Sequence, residues 1–579
     1  MKKFFLPVLP VFFALFLVYP LVILLGGAFW VETVDAAGQL HSGFSLQYFF
    51  LIFANPFYRE CFSNSLLIAS TVTFTTLLVG LPLAYLFLRC HFPGKKLLSV
   101  LLLTPLILPP FVGAIGLKQF LARFGSLNLL LSDLGLVDLS HPPDWFGAGG
   151  FFGIIILSVL HLYPIMYLSV QAALANLDPS LRDAASNLGA QGFRIFWTIT
   201  LPLAMPGIFA GSSIVFVAAF TDLGIPLMFD YQTTVPSQIF NLVTQADNPV
   251  GYALVVLTLL LVSILFLVGK KMGEGNYAML ARSASYDDSI QLPGWKGWLA
   301  FAAVFGFVLF SMLPHFGVVI QSFAAKWFFS VLPSDWSAAY YQEVFSLTLT
   351  SRSMLNSFVY ASLSAFLDVI LGVAIAYLLA RENFTGKSLL DVVSMLPLAL
   401  PGLVLAFAYF VAFSRPLLPG PAFDGFNQAW LAVFDPRKNP TLLLVIAYSV
   451  HRLPYIVRAA YAGFQQMSVS LEEAAANLGE RPWHTLRKIT LPLISANLIA
   501  GTIMTFSFAM LDVSNGMILA QESQFYPLTK AIYALMGRIT PTAPSIACAL
   551  GVLAMIFLGF SLFLASRLLG QKMGQLFRA

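Results

Sequence analysis

The sequence predicts an all-α polytopic membrane protein of about twelve transmembrane helices, arranged as two parallel six-helix repeats. Three observations carry this expectation: an extreme composition, a regular series of apolar runs, and a polar segment that occurs twice. Hydrophobic residues make up 59% of the 579 positions and charged residues only 10%. A water-soluble chain of this length could not solvate such a surface. The net charge of +5 is small, gives no nucleic-acid signal, and reads instead as a topology bias. Three scattered cysteines (Cys61, Cys90, Cys548) suggest neither a disulfide framework nor a metal site.

Apolar runs of about 20 residues, the length that crosses a bilayer, fall near 5–28, 62–88, 97–121, 151–172, 207–229 and 251–269. They recur near 297–322, 354–380, 388–413, 441–463, 495–519 and 544–566. None alternates as a barrel strand would, so a helical bundle follows. The first run continues to about Trp30, beyond the roughly 7–15 residues of a secretory signal core, and reads as a retained helix. Counting Lys and Arg with the N-terminus inside places 20 in inner segments and 10 in outer ones; Arg452, near a helix end, completes the 31. Both termini are therefore expected in the cytoplasm.

The two halves also match at a series of other positions. Asn64-Ser65 answers Asn356-Ser357, Arg89 answers Arg381, and Pro105 and Pro109 answer Pro397 and Pro401, all at an offset of 292 (356 − 64). From His161 and Pro164, which answer His451 and Pro454, the offset is 290 (451 − 161). Six spans per half make the repeats parallel. The expected division is 1–269 for the first repeat, 270–296 for a cytoplasmic linker that includes Tyr286-Asp-Asp-Ser, and 297–579 for the second repeat.

The duplicated polar segment reads Asp183-Ala-Ala-Ser-Asn-Leu-Gly189 in the first half and Glu473-Ala-Ala-Ala-Asn-Leu-Gly479 in the second. Eleven residues then lead to Leu201-Pro202 and Leu491-Pro492. Ser180-x-x-Asp183 and Ser470-x-x-Glu473 have the form of capping boxes, and Asp178-Pro179 strengthens the first start. Leu181, Ala184, Ala185 and Leu188 form a narrow stripe, repeated as Leu471, Ala474, Ala475 and Leu478. Gly189 and Gly479 stand where a helix ends in the left-handed conformation. Each segment predicts a helix of about two turns, too short to be stable alone. It packs either on the protein's own helices or into a partner, and the pattern alone leaves both readings open.

The segment resembles the Glu-Ala-Ala loop of ABC-importer permeases, which runs Glu-Ala-Ala-x-x-x-Gly and ends in Ile-x-Leu-Pro. Glu473-Ala474-Ala475, Gly479 and Ile489-Thr490-Leu491-Pro492 match it, as do Asp183-Ala184-Ala185, Gly189 and Ile199-Thr200-Leu201-Pro202. Asp183 shortens the usual acid by one methylene. The resemblance spans nearly the whole chain and implies the type I ABC permease fold, with coupling loops at about 178–202 and 468–492. It further implies two cytoplasmic ABC ATPase subunits, an external solute-binding protein, an inner-membrane location, and ATP and Mg held by the partner ATPase rather than by this chain. Asp183, Ala184, Ala185 and Gly189, with Glu473, Ala474, Ala475 and Gly479, become the expected ATPase-coupling residues.

Gly386-Lys387-Ser388 imitates the end of a phosphate-binding loop, but Arg381 stands where the pattern needs a glycine. It reads as a topological anchor. His161 and His451 precede spaced prolines and read as helix-end structure, and Asn64 and Asn356 as packing or capping residues. No catalytic array or metal cluster appears, so the chain is expected not to be an enzyme. Asp222 and Asp512, equivalent at offset 290, occur late in the fifth and eleventh spans. Charge inside a membrane is by default a functional hypothesis; each aspartate either lines the pathway or caps a broken helix. Two fused permease domains of this size, and the segment Phe220-Thr-Asp-Leu-Gly-Ile-Pro226, resemble the ferric-iron importer permeases. Thiamine, polyamine, aminoethylphosphonate and sugar phosphate are the alternative solutes. Two parallel six-helix repeats also describe a secondary transporter of the major-facilitator type.

Overall fold

The computed structural model describes residues 2–34, 40–243, 248–273, 290–418 and 420–569. Most of the expected linker, including Tyr286-Asp-Asp-Ser, lies outside these residues. Among the described residues ten helices are long and apolar enough to cross a membrane, or up to twelve if each of two bent pairs is one span. The third and ninth expected runs, 97–121 and 388–413, are the bent pairs, so neither is a continuous helix. Lys95–Leu106 meets Pro110–Asp133 at 95°, and Lys387–Ala399 meets Gly402–Phe413 at 103°.

Proline makes both bends. Leu108 and Leu400 precede Pro109 and Pro401, and the proline ring excludes the residue before it from helical geometry. Both leucines are extended, at φ −84°, ψ 142° and φ −89°, ψ 125°. His161 sits within the helix Phe151–Ala175, not at its end, and its Nδ1 lies 2.9 Å from the Pro105 carbonyl. The helix-end reading of this histidine is therefore replaced by a contact with the neighbouring bent segment.

Another pair of repeated irregularities precedes the Leu-Pro signatures. Phe196–Thr200 and Leu486–Thr490 are π-helical turns feeding the helices Leu201–Thr221 and Leu491–Met510. A proline lacks the amide hydrogen and crowds the carbonyl four residues back. The wider π turn accommodates both effects one residue upstream of Leu201-Pro202 and Leu491-Pro492.

The chain forms two compact units that exchange first spans relative to the sequence repeats. One unit comprises Met1–Arg59, Pro236–Leu259 and Ala339–Ala579; the other comprises Glu60–Val235 and Leu260–Ala338. In the former, the first span Phe5–Phe29 packs on Gly402–Phe413, whose residues from Leu403 to Phe413 are all buried. Tyr19 Oη donates to the Ala412 carbonyl at 3.1 Å, and Tyr409 Oη donates to the Phe16 carbonyl. In the latter unit, Gly294–Phe323 crosses Pro110–Leu121. A Cβ on Gly116 would lie 2.0 Å from the Pro314 carbonyl oxygen, and one on Gly317 would lie 2.6 Å from the Gly116 Cα. Paired glycines let these two backbones touch, the packing mode that operates where lipid removes the hydrophobic drive between helices.

Gly386 and Gly94 are left-handed residues (φ 97° and 72°) that start the helices after the second and eighth spans. Lys387 Nζ donates to the Glu382 carbonyl at 3.1 Å. Ile290-Gln291 pairs in parallel with Cys90-His91, so the chain re-enters the described structure pinned beside the end of the second span.

Gly116→Leu is expected to destabilise the detergent-solubilised protein by at least about 1–3 kcal/mol, the usual cost of overpacking. Gly306→Leu, where an added Cβ meets nothing within 4 Å, should leave the melting temperature unchanged. Equal melting shifts for the two variants would refute the glycine crossing.

Candidate functional site: twin loop helices and broken-helix aspartates

The duplicated polar segment folds as expected into short helices, Pro179–Asn187 and Ser470–Asn477. Their caps differ from the predicted boxes. Asp178, not Ser180, caps the first, accepting the Ser180 amide at 2.9 Å. In the second, Ser468 Oγ accepts the Ser470 amide at 3.3 Å. Positions 178 and 468 are repeat equivalents, but only Asp178 is a cap; the second helix starts after Val469, which makes no side-chain cap bond.

Both helices end identically. Gly189 and Gly479 have φ of 85° and 82°. The Ala190 amide reaches the Ala185 carbonyl at 3.0 Å and the Gly189 amide reaches Ser186 at 2.9 Å; Glu480 to Ala475 and Gly479 to Ala476 repeat the pattern at 3.0 Å each. This is the Schellman arrangement. No atom lies within 4 Å of where a Cβ would stand on either glycine, so backbone handedness alone requires glycine there.

The predicted four-residue stripe does not act as one face. Ala185 and Ala475 are buried against the protein, whereas Ala184, Ala474, Asp183 and Glu473 are exposed. Leu188 and Leu478 are 89% and 86% exposed. Among the described residues neither Asp183 nor Glu473 has a hydrogen-bond or ion-pair partner. Each loop helix thus uses one alanine internally and presents an acid, an alanine and a leucine outward. Beneath the second helix lies a core of Val373, Ala376, Ala460, Phe464, Leu486 and Ile494.

One neighbour of the motif escaped the sequence reading. Glu472 turns inward, accepting Arg381 Nε at 2.6 Å and Thr490 Oγ1 at 2.9 Å. The repetition of Arg89 as Arg381 at the end of a span was the available signal.

The two aspartates both cap broken helices. Leu201–Thr221 stops before Asp222, whose carboxylate accepts the Gly224 and Ile225 amides at 3.2 Å each, starting the helix Gly224–Met228. Asp512 accepts the Asn515 amide at 2.8 Å and starts Ser514–Leu519. Lys118 Nζ donates to the Met228 carbonyl at 2.5 Å and Lys530 Nζ to the Met517 carbonyl at 2.7 Å. Each short helix therefore carries an anion at its start and a cation on its carbonyls, as the helix dipole favours. Lys118 and Lys530, counted from sequence as outer loop charges, are structural side chains within helices Pro110–Leu121 and Leu528–Met536.

The repeats then diverge. Asp512 also accepts Arg452 Nη2 at 2.8 Å, and the same guanidinium donates to the Phe508 carbonyl at 2.8 Å. Arg452 lies inside Thr441–Gln466, not near its end. The side chains of Arg452 and Asp512 are 10% and 4% exposed, so this is a buried pair bridging the helix break. Leu162 occupies the equivalent position in the first repeat (452 − 290), and Asp222 is more exposed than Asp512. Asn64 and Asn356 bind the returning chain: Asn64 Nδ2 donates to the Thr233 carbonyl at 3.2 Å, and Asn356 Nδ2 to the Gln524 and Tyr526 carbonyls at 2.9 and 3.1 Å. Among the described residues no group of three or more His, Cys, Asp or Glu is placed to hold a metal ion.

A fused pair of six-span repeats, each with a capped loop helix of this kind, is the architecture of a membrane importer subunit. The chain belongs to the family of binding-protein-dependent transport system inner membrane components, which matches it twice, over residues 76–272 and 368–575. The two matches begin 292 residues apart (368 − 76), the offset of the repeat. The protein is thus a multi-pass inner-membrane ABC importer permease, of a family of transport permeases rather than enzymes.

Among individual proteins, it is 27% identical over 525 residues to the putative ferric transport system permease protein FbpB 1 of Haemophilus influenzae, covering 88% of this chain and 76% of that one. It is 26% identical over 520 residues to the ferric transport system permease protein FbpB of Actinobacillus pleuropneumoniae, covering 88% and 70%. A single-repeat relative, the molybdenum transport system permease protein ModB of Escherichia coli, is 32% identical over 215 residues, 36% of this chain and 89% of that one. A chain of a bacterial alginate ABC transporter, solved with a pentasaccharide-bound periplasmic protein, overlays 46% of this chain and 92% of its own length at 18% identity and a TM-score of 0.37.

Asp512→Asn is expected to cost about 3–5 kcal/mol because it leaves Arg452 buried without its counter-charge. Asp222→Asn should cost much less. Pairing Asp512→Asn with Arg452→Leu, the first-repeat residue, should recover most of the loss, as read by thermal melting in detergent. Equal losses for the two single variants would contradict the asymmetry.

Proposed function

We propose that this permease passes ferric iron, handed over by an external binding protein, into the cytoplasm by alternating access driven by two cytoplasmic ATPase subunits. One observation carries the coupling half of this reading. Two separate loop helices present the same outward set: Asp183, Ala184, Leu188 and Gly189 in one, and Glu473, Ala474, Leu478 and Gly479 in the other. A nearly fully exposed leucine beside an unpartnered acid and a small residue is a surface suited to a cleft in another protein. One ATPase subunit per loop helix follows, with ATP and Mg bound on that partner.

The iron half rests on the ferric transport relatives that align over most of the chain. Fe³⁺ is a hard cation suited to oxygen ligands. Asp222 has no ion-pair partner among the described residues, which leaves its negative charge uncompensated at the break in its span. Asp222 is the better candidate for the pathway, since Asp512 is neutralised by Arg452.

Glu473→Ala combined with Gly479→Pro should strip the ATPase from the purified complex and abolish uptake of radiolabelled ferric iron. Retention of the ATPase and undiminished uptake in that variant would end the coupling reading. Uptake that persists after ATP depletion while a proton gradient remains would favour a secondary transporter. For the solute, Asp222→Asn should lower ferric uptake without releasing the ATPase; unchanged uptake reduces Asp222 to a helix cap.

A further inference from the structure

The span Gly294–Phe323 has two unlike faces. One carries Pro314 and Gly317 into the close crossing with Pro110–Leu121. The other carries Phe305, Leu309, Phe316, Val319 and Phe323, all exposed, which at the helical period fall on one narrow stripe. An exposed apolar stripe along a membrane-spanning helix faces lipid.

The chain stays apolar where this helix ends. Directly after Phe323, Ala324–Lys326 and Asp335–Trp336 pair as an antiparallel hairpin. Its tip, from Trp327 to Ser334, reads Trp-Phe-Phe-Ser-Val-Leu-Pro-Ser and holds no charge. Phe328 is 82% exposed, Leu332 and Trp336 are 58% each, and Phe329 is 54%. The flanking charges Lys326 and Asp335 pair with each other at 3.3 Å across the base.

The hairpin is built to display these side chains. Trp327 is buried, with its ring edge-on to Phe120 at 5.9 Å and its Nε1 donating to the Ser330 carbonyl at 3.2 Å. Gln119 Nε2 donates to the Trp327 carbonyl at 3.4 Å, which seats the tip on the end of Pro110–Leu121. Phe329 has φ 51°, a backbone conformation that is costly for a bulky residue. Its ring lies 4.7 Å from that of Phe328 and 5.2 Å from that of Phe124, which is itself 50% exposed. Three rings thus form one outward patch. Strain spent on displaying apolar rings points to a surrounding that receives them.

We propose that the hairpin 324–336 is a lipid anchor, whose aromatic tip enters the headgroup–acyl boundary and fixes the depth at which Gly294–Phe323 leaves the bilayer. Aromatic side chains suit that boundary, where an apolar ring sits at headgroup level. Continuity decides for lipid over a protein partner. The stripe through Phe316, Val319 and Phe323 runs into the hairpin without a charged break before Lys326. On the predicted topology the anchor lies in the external leaflet. It acts whatever solute the chain carries and is independent of the coupling and iron readings.

The test places one nitroxide at Phe328→Cys in the full chain carrying Cys61→Ala, Cys90→Ala and Cys548→Ala, in phospholipid nanodiscs. Collision with oxygen, which partitions into lipid, is compared with collision with nickel-EDDA, which stays in water. Leu309→Cys in the stripe supplies the lipid reference, and Leu478→Cys on the exposed loop helix the aqueous one. Position 328 should favour oxygen, at a depth of roughly 5–10 Å into the boundary. Leu332→Cys should report the same environment, and it carries the test if Phe328→Cys fails to fold. Phe329→Gly, which accepts the left-handed backbone but removes a ring, should shift the label at 328 toward the aqueous value. Nickel access at either position equal to that at Leu478 would overturn the proposal. Protection of the label from both reagents, alone or on adding the external binding protein, would also overturn it and assign the patch to a protein partner.

Discussion

Every backbone amide and carbonyl in an apolar surrounding needs a partner, and this chain breaks its helices repeatedly within hydrophobic runs. That conflict organises the structure. A helix interrupted in lipid leaves orphan groups on both sides of the break, each costing several kcal/mol if unmet. Here each break after a long span is closed by side chains: Asp222 and Asp512 take the free amides, and Lys118 and Lys530 take the free carbonyls. The two lysines come from non-equivalent places. Phe410 stands at the second-repeat position of Lys118 (118 + 292), and Phe240 at the first-repeat position of Lys530 (530 − 290). The requirement is therefore set by the carbonyls, and each repeat meets it from whichever helix passes nearby.

The duplication has conserved shape and reassigned charge. Gly94/Gly386, Gly189/Gly479 and Pro109/Pro401 coincide between halves, and each sits where backbone geometry turns. Arg89 and Arg381, and Asp222 and Asp512, coincide, but their charged neighbours do not. The second repeat buries Arg452 against Asp512 and sets Glu472 against Arg381, whereas the first has Leu162 and Arg182 at the corresponding positions. A chain that fuses two permease domains is free to specialise them. The second half has ion pairs at its helix break and at its loop, and Asp222 in the first half has no ion-pair partner among the described residues.

Backbone-level features were legible in the sequence, and pairings were not. Apolar length located the spans, and the pair Gly189/Gly479 marked a helix end, because glycine acts through local conformation; the bends at Pro109 and Pro401 lay inside runs read as single spans. The first cap was misread because Asp178 competes with the serine two residues on, and a capping-box pattern does not rank them. Lys118 and Lys530 were taken for loop charges, since a window count cannot see a lysine reaching back to a carbonyl. The exchange of first spans was invisible for a related reason: a uniformly apolar helix states that it is buried, not against what. Glu472 was overlooked beside the more familiar Glu473, although only the three-dimensional turn distinguishes the acid facing inward from the one facing out.

The account stands or falls on whether the outward faces of the two loop helices meet the ATPase. A photoreactive amino acid incorporated at Leu188, and separately at Leu478, tests this in native membranes containing the assembled transporter. Both positions should cross-link to the ATPase subunit, and position 306, where Gly306 faces open space, should not. Cross-links confined to lipid or to the chain itself at both leucines would contradict the central claim.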